Sequence, residues 1–139
     1  LGSYDDKVND LLPKDVRNKK SDSLILKDLV MHTSSMPRTP TDFGLKEKNP
    51  KDPYAYYTKD DLLAFYGSFP FEDIHDKKYI YSHVNYALIE VIMENITKTS
   101  YEKLLQEKIL NPLGLEETYL GLNEKLLKKR KTISFVFLF

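Results

Sequence analysis

The sequence predicts a mostly α-helical chain, and three features carry that expectation. Val84, Ala87, Leu88, Val91 and Ile92 follow the i, i+3, i+4, i+7, i+8 spacing of a single helix face. A second periodic segment, Tyr101 to Leu110, runs into Asn111-Pro112-Leu113-Gly114, where Pro and Gly stop a helix. No strand signal is strong before the apolar C-terminal run, so no isolated sheet is expected.

Four helices follow in chain order. The first covers about Leu26 to His32, with Leu26, Leu29 and Val30 inward. The next runs from Thr58 to about Tyr66. Thr58 and Asp61 have the spacing of a capping box, and Leu62, Leu63, Phe65 and Tyr66 supply apolar surface. The longest spans about Ser82 to Asn95, with the Ser82 hydroxyl placed to accept from open first-turn amides. The last, Tyr101 to Leu110, turns Tyr101, Leu104, Leu105 and Ile109 inward. Thr99 or Ser100 caps it, and Glu102 suits a capping box with Thr99. Ser34 to Pro53 is rich in Pro, Lys, Asp and Thr, lacks periodicity and reads as a long surface loop.

The end of the chain is different in kind. The basic run Lys128-Lys129-Arg130-Lys131 precedes the apolar run Ile133 to Phe139, which is too short to span a bilayer. It reads as a buried strand or a disordered tail, less readily as a basic-aromatic membrane anchor, or as an abnormal gene end.

Composition narrows the function classes. A chain of 139 residues, 41% apolar and 30% charged, suits one domain with a buried core. Lys plus Arg equals Asp plus Glu at 21 each, and a neutral chain is not a general nucleic-acid binder. There is no Cys, which excludes disulfide scaffolds, Cys nucleophiles and zinc fingers. The N-terminal segment has no signal-peptide pattern and begins without Met, so the chain is expected to start partway into something larger.

Few residues offer chemistry by spacing alone. His32, His75 and His83 make no i, i+4 metal pair, and neither a metal nor a cofactor is expected. There is no Gly-rich phosphate loop and no GxSxG elbow. Asn95-Ile96-Thr97 fits a glycosylation acceptor, a short match common by chance. The one Ser-x-x-Lys, Ser100 to Lys103, is better read as a helix cap and a solvated lysine, and Lys98-Thr99-Ser100 belongs to the same helix start. Tyr81 lies just before a helix N-terminus, where the dipole favours an anion and a phenolate could serve as a base; packing is the commoner role for such a tyrosine.

Four segments together carry a resemblance. Ile80-Tyr81-Ser82-His83-Val84-Asn85-Tyr86-Ala87-Leu88-Ile89 resembles the Tyr-Ser-Asn segment of serine β-lactamases and penicillin-binding-protein-like hydrolases. Asp5-Asp6-Lys7-Val8-Asn9-Asp10-Leu11-Leu12-Pro13 is similar to the family's LDDPVSKYLP stretch. Leu26 to Pro37 is similar to LRDLLTHTSGLP, and Ser100 to Thr118 to SYEELLQEKILNPLGMKDT. The segments occur in family order over about Ser3 to Leu120. They place the chain nearest to class C β-lactamases, D-alanyl-D-alanine carboxypeptidases and β-lactamase-like esterases.

The resemblance implies a partial helical domain of the α+β β-lactamase/transpeptidase-like fold over residues 1–120, with an atypical tail over 121–139. It implies acyl-enzyme hydrolysis, with a small-molecule or peptide substrate once the whole domain is present, often outside the cytoplasm. Tyr81 matches the family Tyr, a base or proton shuttle, and His83 stands where Asn is usual. An imidazole cannot offer an amide's N–H and C=O together, which favours esters over amides. The family's Ser-x-x-Lys lies upstream of the LDDPV stretch and its Lys/His-Thr-Gly strand downstream of NPLGM, so the chain is expected to be an inactive fragment. Other departures are Ile25 in place of a Thr cap, Glu90 in place of Gly, and Asp73 to Lys77 in place of Pro-Gly. A non-catalytic ligand-binding module of the same fold and an unrelated helical structural domain are the competing readings.

Overall fold

The computed structural model describes residues 2–46, 56–72 and 75–120. The tail over 121–139, most of the second half of the long loop, and Asp73 and Ile74 lie outside the described residues. The helices are α1 (Val8–Leu11), α2 (Leu26–Val30), α3 (Lys59–Ser68), α4 (His83–Thr97) and α5 (Tyr101–Leu105), with short 3-10 turns at Lys19–Ser21 and Phe43–Lys46. The sole extended pairing among the described residues is an antiparallel bridge between Lys7 and Ile25. Val8 N donates to Leu24 O at 3.0 Å and Leu26 N to Asp6 O at 2.9 Å, which ties the first segment to the start of α2. The chain is mostly helical, as the helical portion of a β-lactamase-like fold should be.

Two compact units divide after Lys98. In the first, α1, α2 and α3 each pack on α4. The predicted stripe of α4 is buried in full, from Val84 through Ile92, and joins Val8, Leu12, Leu29, Leu62, Phe65 and Tyr66 in one core. Ser82 caps α4, its Oγ accepting from Asn85 N at 3.4 Å. Thr58 and Asp61 form the expected reciprocal box on α3: Thr58 Oγ1 accepts from Asp61 N at 3.2 Å and Asp61 Oδ2 from Thr58 N at 2.9 Å. Ile25 has no acceptor to offer α2, so only half of such a box survives there, Asp28 Oδ2 accepting from Ile25 N at 3.2 Å.

Three expectations need correction. First, α2 stops at Val30 rather than His32. His32 has a left-handed φ of 58°. His32 N donates to Leu29 O and Thr33 N to Asp28 O, a Schellman closure with His32 in the position glycine usually takes. Second, the long loop does not begin on the surface: Ser34 and Met36 are buried, because Ser34 is drawn into the α2–α4 contact. Third, the helix from Tyr101 is α-helical only to Leu105 and continues to Leu110 as a π turn. Closing i→i+5 widens the turn, so Leu110 is the buried residue and Ile109, expected inward, is 47% exposed. Ser100 is the cap, its Oγ accepting from Lys103 N at 3.4 Å, which is the ordinary role expected for this Ser-x-x-Lys pair.

Candidate functional site

Tyr81 sits one residue before the cap of α4 and is 51% exposed. The strap that carries it, Ile80 to His83, is stitched to the segment after α2. Ile80 N donates to His32 O at 2.8 Å, and His83 N to Arg38 O at 2.8 Å. Ser82 Oγ donates to Pro37 O at 2.7 Å, and Ser82 N to His32 Nδ1 at 3.2 Å. The last bond requires an Nδ1 without a proton, so a neutral His32 carries its proton on Nε2.

Below the strap a buried polar lock fixes the same two segments. Asn85 is fully buried; its Oδ1 accepts the Ser34 hydroxyl at 2.7 Å and its Nδ2 donates to Leu29 O at 3.1 Å. Ser34 Oγ also accepts from Met36 N at 3.2 Å. The end of α2 and the start of α4 therefore hold each other through buried polar groups that satisfy one another.

The side chains above the strap converge. The Tyr81 and His83 rings stand edge to face with centroids 5.4 Å apart. The His32 ring lies 4.8 Å from Tyr81, 5.8 Å from Tyr79 and 5.2 Å from Tyr86. The Arg38 guanidinium carbon is 5.9 Å from the centroid of the Tyr81 ring. Burial, then the Arg38 cation, then His32 hold the His83 imidazole below the usual histidine range, in its neutral form. The two residues singled out from the sequence, Tyr81 and His83, are thus neighbours at one exposed site.

His32, Arg38 and Asn85 were missed. Each lies within a segment that carried the resemblance or beside it, but their partners are some fifty positions away, at separations of 50 for His32 with Ser82 and 51 for Ser34 with Asn85. His75 is exposed and joins none of these contacts in the described structure. Asn95 of the glycosylation-like triplet already donates through Nδ2 to Leu11 O at 2.8 Å. Among the described residues, no group of three or more His, Asp or Glu side chains is placed to hold a metal ion. Among them, too, no helix is long and apolar enough to cross a membrane.

The chain belongs to the β-lactamase family, a family of serine hydrolases, whose model matches residues 2–134. That match rules out the unrelated structural domain. Relatives in Salmonella paratyphi B, Salmonella newport and Salmonella schwarzengrund, each bearing the name "Putative D-alanyl-D-alanine carboxypeptidase", are 28% identical over 120 residues. The matched stretch covers 80% of this chain and 27% of each relative, so the chain spans about a quarter of their length.

Proposed function

We propose that this chain is the base-bearing helical part of a serine hydrolase that works through an acyl-enzyme on small-molecule or peptide substrates. Tyr81 serves as base or proton shuttle, and His83 takes the place of the usual Asn beside it. The observation that carries this reading is the exposed Tyr81 phenol with His83 and Arg38 against its ring, at the N-terminus of a 15-residue helix. A neutral His83 offers one donor and one acceptor on opposite sides of a ring, a poor match to an amide and sufficient for an ester carbonyl. We assign this role to residues 1–120.

The 139 residues acting alone are expected to be inactive. Their one Ser-x-x-Lys is the α5 cap, and a base without a nucleophile has no acyl chemistry to perform. The chain is to be incubated with a chromogenic β-lactam and with a p-nitrophenyl ester. No turnover is expected, and turnover by the chain alone would overturn the missing nucleophile. An in-frame Ser-x-x-Lys codon set upstream of Leu1 supports the hydrolase reading. An in-frame stop there, with retained binding of a β-lactam or ester analogue at Tyr81, favours the ligand-binding module instead.

A further inference from the structure

We infer that His32 is a positioning residue for Tyr81: it fixes the strap on either side of Tyr81 and walls the phenol with its ring. This rests on the assignment of Tyr81 above. The strap has two hydrogen bonds to one residue, Ile80 N to the His32 carbonyl and Ser82 N to His32 Nδ1. Tyr81 is the residue between them. Its own backbone is thereby held at both ends, while the His32 ring packs against its side chain with centroids 4.8 Å apart.

The backbone of His32 explains how one residue does both. At φ 58° it occupies the left-handed C′ position of the α2 closure. Glycine would fill that position more cheaply, and has no side chain to reach the strap. Histidine is among the residues that tolerate this region better than most, and it supplies an acceptor. A histidine in a glycine position, with its acceptor spent on the residue after Tyr81, serves the strap rather than the helix end. The groups that face its ring are Tyr79, Tyr81 and Tyr86, with the ionisable His83 and Arg38 beside Tyr81.

The bond to Ser82 is conditional on charge. Protonated at both nitrogens, the imidazole becomes a donor only and must release the Ser82 amide. The strap should then loosen around Tyr81 while the buried Asn85 lock stays closed.

The test is nuclear magnetic resonance on the 139-residue chain, in a His83→Gln background so that the neighbouring imidazole contributes no titration. The Ser82 amide and the Tyr81 ring signals are expected to move with the same midpoint as the His32 ring carbons. His32 titrating while both stay fixed overturns the inference. His32→Phe, which keeps a ring but has no acceptor, is expected to shift the Ser82 amide and the Tyr81 ring. His32→Asn places an amide oxygen near the lost Nδ1, suits a positive φ, and is expected to restore the Ser82 amide. Equal spectra for the Phe and parent chains overturn the proposal, and the parent titration decides it should the Phe chain not fold. None of these signals depends on turnover. A longer gene product that hydrolyses the reporters unchanged by Tyr81→Phe would overturn the role of Tyr81 and leave the tether standing.

Discussion

Asn85 Oδ1 accepts the Ser34 hydroxyl at 2.7 Å, joining two buried polar residues 51 positions apart. The bond sits under the strap that carries Tyr81. It decides where α2 ends relative to α4, and the site inherits that geometry.

Removing Asn85 should therefore cost more than its volume suggests. Asn85→Ala strands the buried Ser34 hydroxyl, removes one of the bonds the Leu29 carbonyl accepts and leaves a cavity. A loss of about 3 kcal/mol is expected. Ser34→Ala removes one partner and should cost about 1 kcal/mol. Urea unfolding of both single variants and the double variant checks this, with the double variant losing less than the sum because the two residues share one bond.

Ser35 should be improved by glycine. Its φ of 65° lies in the left-handed region, and it aligns with the Gly of the family's LRDLLTHTSGLP stretch. Ser35→Gly relieves the clash between Cβ and backbone, and a gain of about 1 kcal/mol is expected. A thermal melt that falls on this substitution contradicts the strain.

Glu90 should make stability depend on pH. It lines a small cavity between α3 and α4 with Thr58, Lys59, Leu62, Ala87 and Val91, and its buried Oε2 makes no hydrogen bond. Lys59, the cation on that side, pairs with Glu94. Burial first, then Glu94, raise the Glu90 carboxyl above its usual range, against the opposing pull of Lys59. A group raised on folding contributes stability that is whole below its unfolded pKa and is lost as pH rises through the folded value. Unfolding measured from acid to neutral pH should therefore show a decline that Glu90→Gln flattens, with the variant more stable than the parent at neutrality.

His83 should resist protonation. Its value is lowered by burial, then Arg38, then His32, so its charged form is disfavoured in the folded chain. Stability linked to it is present above the unfolded pKa and lost as pH falls through the folded one. Ring-carbon resonances of His83 should titrate below the ordinary histidine range. Arg38→Gln should bring the His83 midpoint back toward the ordinary range, and an unmoved midpoint would exclude the guanidinium as a cause.

The local part of this fold was legible. The α4 stripe, the Ser82 cap and the Thr58–Asp61 box all depend on residues within one or two turns, so spacing reveals them. The π turn after Leu105 was not legible, because spacing does not disclose whether a turn closes at i+4 or i+5, and Leu110 replaced Ile109 in the interior as a result. Asn85 was passed over for a related reason: it is polar and lies beside the apolar stripe, and only the hydroxyl brought by another segment makes its burial affordable.

By itself the sequence determined four of the five α-helices (the short α1 went unread), where two of them start and the family, and it named Tyr81 and His83 as candidates. Those are properties of short-range spacing and of motif order. Tertiary structure alone decided that His32, Arg38 and Ser34 belong beside that pair. Hydrogen bonds of 2.7–3.2 Å from the α2 end to Ser82 and Asn85 exist only once α2 has packed on α4, and no periodicity encodes a partner fifty residues away.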